Sequence, residues 1–247
     1  MKHRFLPLLC ATAFLFMFSS CGSSDNSSSS ATASADTTSN PAPVTPAAPA
    51  STIVTTPTNM LTVRHEVSNY EQWKTSFDGH DTARVAKGVH SYVIGRGVMD
   101  SNDVSVTFKI DDVAKAKSFV ADPSRKQAMQ KAGVKGKPTM NFTTMVWMDT
   151  AKTNSDIRSR TTFMVKDFDA WRKSFESQKQ ARTDNGLADR AFGYDIDNHN
   201  KVTLVVVVND TAKARAFWNS DQLKQMRAQS GVTSQPERFV YRVVQRY

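Results

Sequence analysis

The chain has 247 residues, 39% of them hydrophobic and 22% charged, with a formal charge of +9 at pH 7. That length and apolar content suit one or two folded domains. Both cysteines, Cys10 and Cys21, lie near the start, which excludes a disulfide framework, a cysteine nucleophile and a thiolate metal site from everything that follows. Basic residues are interspersed with acidic ones without a run of four, so nucleic acid is not an expected partner.

Met1–Arg4 is a short basic segment, and Phe5–Phe18 is an apolar run of 14 residues. Such a run is too short to cross a hydrocarbon core of about 30 Å as a helix. It ends in Phe18-Ser19-Ser20-Cys21, small residues running into a cysteine. This leader resembles a bacterial lipoprotein signal, with Phe18 where that pattern favours Leu. The resemblance implies that residues 1–20 are removed as a signal peptide and that Cys21 is lipidated. The membrane then becomes a partner, and the protein sits at the cell envelope, on its periplasmic face or at the cell surface. Residues 21–59 are dominated by Ser, Thr, Ala and Pro. They cannot bury enough apolar surface to offset the entropy of ordering, so a disordered tether is expected.

Residues 61–147 align with 159–245 at a constant offset of 98, without a gap and with 21 identities. The pairs include Trp73/Trp171, Phe77/Phe175, Arg84/Arg182, Gly88/Gly186, Gly95/Gly193, Asp112/Asp210 and Gly133/Gly231. Two repeats of one fold follow, 60–149 and 156–247, joined by a polar linker near Asp149–Ser155.

Each repeat reads β-α-β-β-α-β. Leu61–Val67 alternates as a strand. Tyr70, Trp73, Phe77, His80 and Arg84 recur at helical steps and mark one face of a helix that Gly88 ends. His90–Gly97 is a second strand, Asp100–Asp103 a hairpin turn and Val104–Ile110 a third strand. Asp112 caps a helix that carries Ala116 and Phe119 and stops near Gly133. Met140–Trp147 closes the unit. In the second copy Val202–Val208 is apolar on both faces, so it needs helices on one side and a facing sheet on the other.

This order is the ferredoxin-like split βαβ unit. Two such units packed sheet to sheet give an α+β fold, an intramolecular α+β barrel. With Trp73…Phe77-Asp78…His80…Arg84…Gly88, then Gly95-Arg96 and Asn102, the chain resembles the dimeric α+β barrel superfamily, which includes antibiotic-biosynthesis-monooxygenase-like and polyketide-cyclase-like domains. There two chains usually build the barrel. Here one chain would, as a monomer with an internal pseudo-dimer.

The copies differ where chemistry would sit. His80 and Arg96 correspond to Gln178 and Tyr194, His65 to Phe163 and His90 to Ala188, so a site belongs to the first copy. His80 could exchange a proton near neutral pH, and Arg84 could hold a carboxylate or enolate. The competing reading is that both lie solvated at the helix edge, and that His65 is a satisfied core histidine. Arg182 then serves as a helix-end charge. His65, Trp73, His90, Tyr92 and Arg96 are candidate ligand-binding residues. His90, Tyr92 and Arg96 fall on a polar-aromatic sheet face with Arg64 and Lys109, opposite an apolar wall that includes Val205, Val207, Phe239 and Tyr241. These walls would either enclose an amphipathic cavity or pack together.

Zincin, nucleophile-elbow, P-loop and dinucleotide-binding motifs are absent, and the histidines lack metal-ligand spacing. Neither a metal nor a cofactor is expected. Haem would call on a histidine of the later repeat, where only His199 exists, in a hairpin turn. Three functions fit: a lipid-anchored module binding a small amphipathic or anionic molecule, a cofactor-independent monooxygenase- or cyclase-like enzyme with His80 as base and Arg84 as anion holder, or an interaction module with a filled barrel.

Overall fold

The computed structural model describes residues 51–247. The leader, Cys21 and most of the tether lie outside the described residues. Regular structure starts before residue 60, the expected beginning of the first repeat: a short strand β1 (Ile53–Val54) pairs with the end of a later strand, Ile53 opposite Asp149. The last residues assigned to the tether are therefore strand, because the Ile53-Val54 pair is too short for periodicity to reveal it.

The first repeat comprises β2 (Thr58–Val67), α1 (Tyr70–Gly79), α2 (Asp81–Val85), β3 (Val89–Gly97), β4 (Asp103–Ile110), α3 (Val113–Ala121), α4 (Pro123–Lys131) and β5 (Val134–Asp149). The second repeats it as β6 (Ile157–Met164), α5 (Phe168–Ser177), α6 (Lys179–Asp184), β7 (Leu187–Asp195), β8 (Asn198–Val208), α7 (Thr211–Trp218), α8 (Asp221–Gln229) and β9 (Glu237–Arg246). Capping is inherited with the repeat. Asn69 and Asp167, Asp112 and Asp210, and Asp122 and Ser220 each accept a backbone N–H in the first turn of the helix they open.

Each expected helix is broken in two. Asp122 precedes Pro123 and is extended, with ψ 124°. Proline disfavours helical backbone in the residue before it and supplies no N–H, so α3 cannot run into α4. The break between α1 and α2 falls at His80, whose N–H reaches the Phe77 carbonyl. The Arg84 guanidinium also donates to that carbonyl, at 2.6 Å, and Arg182 does the same for Phe175. A side chain thus satisfies a carbonyl at the helix end.

The strands form one sheet in the order β5-β2-β4-β3-β9-β6-β8-β7, and β7 pairs back onto β5. All pairings are antiparallel, and the result is a closed barrel with both helical layers outside. The repeats meet along two seams, Gly95 opposite Val243 and Gly193 opposite Met145, which are the same pair related by the offset of 98. β5 is longer than Met140–Trp147 because a bulge at the polar Lys135–Pro138 stretch, with Gly136 at φ 62°, lets the strand continue.

The helix-covered face of the first repeat buries Leu61, Val63, Trp73, Val104, Val106 and Phe108. In β8, Val202 and Val206 pack under helices while Val205 and Val207 are also buried, so both faces are covered as expected. The lumen corrects the expected arrangement of walls. It is plugged by Arg160, which reaches across to donate to Ser105 Oγ and Thr107 Oγ1 at 2.9 and 2.8 Å, and by Tyr241, whose ring occupies the space over Gly95. A void of about 60 Å³ remains. The open amphipathic cavity is absent because the repeat-two wall carries arginines rather than only aliphatic residues.

Candidate functional site

A space between α1, α2, α4 and the outer face of the sheet opens in the first repeat. It is a cavity of about 330 Å³, at the small end of the range for ligand sites. Its walls are mostly apolar, with Val63, Val106 and Phe108 from the sheet, Trp73 and Phe77 from α1 and Ala128 and Met129 from α4. Trp73 and Phe77 are stacked, centroids 5.1 Å apart.

Four titratable side chains enter this apolar space. His65 comes from β2, 5.4 Å from the Trp73 ring. It is buried, and neither ring nitrogen meets a protein partner, so it is not the satisfied core histidine that was the competing reading. Burial first, then the Arg125 charge, lowers its pKa to about 4. At neutral pH it is a neutral imidazole, able to donate through one nitrogen and accept through the other. Leaving both unpaired in an apolar cavity is costly.

Arg84 stacks over Phe77 at 3.7 Å and is 5% exposed, so it is not a solvated helix-edge charge. It donates to the Phe77 carbonyl and to Asp81, at 2.6 and 2.9 Å, while its Nε is buried without a partner. Burial lowers its pKa. Arg125, from α4, donates to the Val120 carbonyl at 3.1 Å and is likewise lowered by burial. His80 stands exposed at the rim, its Nδ1 2.6 Å from the Ser76 carbonyl. That carbonyl can only accept, so Nδ1 carries a proton, and in the neutral ring the lone pair is on Nε2.

The second repeat shows what the same fold does without a cavity. Its matched space holds only about 80 Å³. Phe163 replaces His65 and Met226 replaces Ala128, and both line that residue of space. Trp218 stands where the first repeat has Val120, with Arg238 stacked on it at 4.4 Å. Arg182 is held bidentately by Asp189, both contacts 2.7 Å, with that carboxylate only 11% exposed. Arg182 is therefore a buried ion-paired residue rather than a helix-end charge. The residue matched to Asp189 is Ser91, whose hydroxyl turns to Asp81 at 3.3 Å. Arg84 is left with Asp81, which is 52% exposed.

The structure thus brings His65, Trp73, His80 and Arg84 together and separates the other three candidates. β3 bulges between Ser91 and Val93, which breaks the alternation that placed them on one face. His90 donates to Asp111 at 2.8 Å on the surface. Tyr92 faces the lumen void, with Lys109 4.9 Å over its ring. Arg96 lies over Tyr70 at 4.0 Å and donates to the Ser101 carbonyl. His199 is exposed against Tyr194, 3.7 Å between centroids, and lines neither cavity. Arg125 and Ala128 were missed, although comparison with Leu223 and Met226 at the offset of 98 carries the signal for both.

No family model matches the chain, and no curated protein does. Similarity is found among solved structures. An anthrone oxidase-like protein matches at TM-score 0.55 and 12% identity over 78% of this chain and 94% of its own. A candidate monooxygenase from Fusobacterium nucleatum subsp. nucleatum matches at TM-score 0.50 and 12% identity over 76% and 93%. At such identities the likeness bears on fold. The fold is that of the dimeric α+β barrel, with both halves supplied by a single chain.

Proposed function

We propose that the first-repeat cavity binds one small, largely apolar anion. Arg84 and Arg125 hold its charge, His65 pairs with a further polar atom, and the stacked Trp73 and Phe77 pack against its flat part. The observation that carries this reading is the missing inner carboxylate: Arg182 has Asp189, 11% exposed, whereas Arg84 has Ser91 in its place and only the half-exposed Asp81. A ligand carboxylate or phenolate would supply, inside the cavity, a counter-charge that the half-exposed Asp81 offers only from the solvent side. The test is titration with 1-anilinonaphthalene-8-sulfonate, an aromatic anion that fluoresces when desolvated. The wild type should show one saturable site. Arg84→Met should weaken it roughly 10- to 100-fold, the equivalent of about 1.5–3 kcal/mol for a hydrogen bond to a charged group. Unchanged affinity would refute the assignment.

His80 favours a second reading, a cofactor-independent enzyme in line with the oxidase and monooxygenase names of the fold neighbours. In the tautomer that hydrogen-bonds through Nδ1, Nε2 of the neutral ring holds the free lone pair at the rim, and it could take a proton from a carbon acid whose enolate Arg84 holds. His80→Gln, copying Gln178, should leave dye affinity unchanged. Loss of solvent proton exchange into a bound carbon acid would favour the enzyme, and no exchange in the wild type would leave binding alone.

We also propose that the barrel is carried at the cell envelope by a lipid on Cys21 and works there as a monomer. The leader supports this, together with the confinement of both cysteines to it. Cys21→Ala should move the protein from the membrane to the soluble fraction on ultracentrifugation. An unaltered distribution would remove the anchor from the account.

A further inference from the structure

The lumen holds positive charge that the sheet does not neutralise. Arg158 and Arg160 on β6, Arg190 on β7 and Arg246 on β9 all line the residual void of about 60 Å³. None of the four forms an ion pair with a carboxylate among the described residues. Arg246 is exposed, and in the other three neutral groups take N–H donors instead. Arg158, 2% exposed, donates to the Ser155 and Ile157 carbonyls and to Thr153 Oγ1. Arg190 donates to the Ala151 carbonyl at 2.7 Å. Arg160 spends its terminal nitrogens on Ser105 and Thr107, and its Nε is buried without a partner. The one carboxylate on the wall, Asp149, accepts the Ala151 N–H.

All four arginines come from the second repeat. The residues matched to them at the offset of 98 are Met60, Thr62, Tyr92 and Met148, and each of these lines the same void. Four cations therefore face four uncharged side chains across a space with room for one small ion or a few waters. Burial first, then the neighbouring charges of Arg246 and Arg190, lowers the Arg158 pKa to about 10. Guanidinium forks match the paired oxygens of an oxyanion better than a spherical halide.

We propose that this void is a binding site for one small inorganic oxyanion, phosphate or sulfate, held among Arg158, Arg160, Arg190 and Arg246. It is separate from the first-repeat cavity, which lies on the other face of the sheet, and it stands whether or not that cavity binds its own ligand. The ion would occupy charge-assisted donors at the point where the two halves of the barrel close, so it should stabilise the folded chain by mass action.

The experiment is thermal unfolding of the full-length protein in sodium phosphate, sodium sulfate and sodium chloride at matched ionic strength. Phosphate and sulfate should raise Tm along a saturable binding curve that chloride does not reproduce. Arg190→Gln combined with Arg246→Gln should weaken the apparent phosphate affinity at least 10-fold, while the surface change Lys173→Gln should not. Should the double variant fail to fold, ³¹P line broadening of phosphate by the wild type, reversed by added sulfate, reads the same site. Equal Tm shifts in all three salts, phosphate affinity retained in the double variant, or a ³¹P line that the protein does not broaden would each overturn the proposal.

Discussion

Gly193→Ala should lower Tm by roughly 10 °C, the equivalent of about 3 kcal/mol or more at 2–4 °C per kcal/mol for a domain of this size. A Cβ at residue 193 would lie 2.0 Å from the Thr144 carbonyl oxygen and 2.7 Å from Met145 Cα. Both obstacles are backbone, and both belong to β5, the strand to which Gly193 is hydrogen-bonded across a seam. No rotamer change relieves that contact, so the seam itself must open. Glycine in a strand interior marks such close approaches. The matched Gly95→Ala meets the Tyr241 ring at 2.1 Å, a side chain that can turn aside at the expense of the lumen packing, and its effect should be smaller. Thermal melts of the two variants decide this. A Gly193→Ala protein that melts within 2 °C of the wild type would mean that the seam is not closed as described.

Arg182→Met should cost about 3–5 kcal/mol, because it leaves the Asp189 carboxylate, only 11% exposed, without its partner. It also strips a donor from the Phe175 carbonyl and a cation from the face of the Phe175 ring, 3.5 Å away. Arg84→Met removes the same two contacts from Phe77, yet the carboxylate it abandons, Asp81, is half exposed and returns to water. The loss of stability should be several-fold smaller. Denaturant unfolding of the two variants gives the comparison directly. Pairing Arg182→Met with Asp189→Leu should recover most of the loss, since the stranded charge goes with its partner. Equal destabilisation by Arg84→Met and Arg182→Met would show that Ser91 in place of Asp189 leaves Arg84 no freer than its counterpart.

The barrel was legible because it was written twice. A constant offset with no gap, carrying caps and helix-ending glycines at matched positions, left little choice of topology. Its closure followed from Val202–Val208, which needed cover on both faces. The site was legible in part. His65, Trp73, His80 and Arg84 sit where a regular strand and a regular helix put them, and the break at His80 did not move them off the cavity. His90, Tyr92 and Arg96 depended on unbroken alternation in β3, and a one-residue bulge dispersed them. The lumen was misjudged because the second-repeat wall was read from its apolar members, Val205, Val207, Phe239 and Tyr241, without Arg158 and Arg160, which lie opposite them on the same face. The distinction between Arg84 and Arg182 rests on Ser91 and Asp189, each seven residues on along the chain but across a turn, where neither helix nor strand periodicity connects them.

The central claim is that one repeat binds and the other only supports it. A crystal structure of the protein grown with 1-anilinonaphthalene-8-sulfonate tests that claim most directly. Density is expected for one molecule between His65, Trp73 and Arg84, its sulfonate within hydrogen-bonding distance of Arg84 or Arg125, and none in the matched space beside Phe163 and Met226. Density in the second repeat, or a first-repeat cavity left empty while the dye lies elsewhere on the surface, would contradict it.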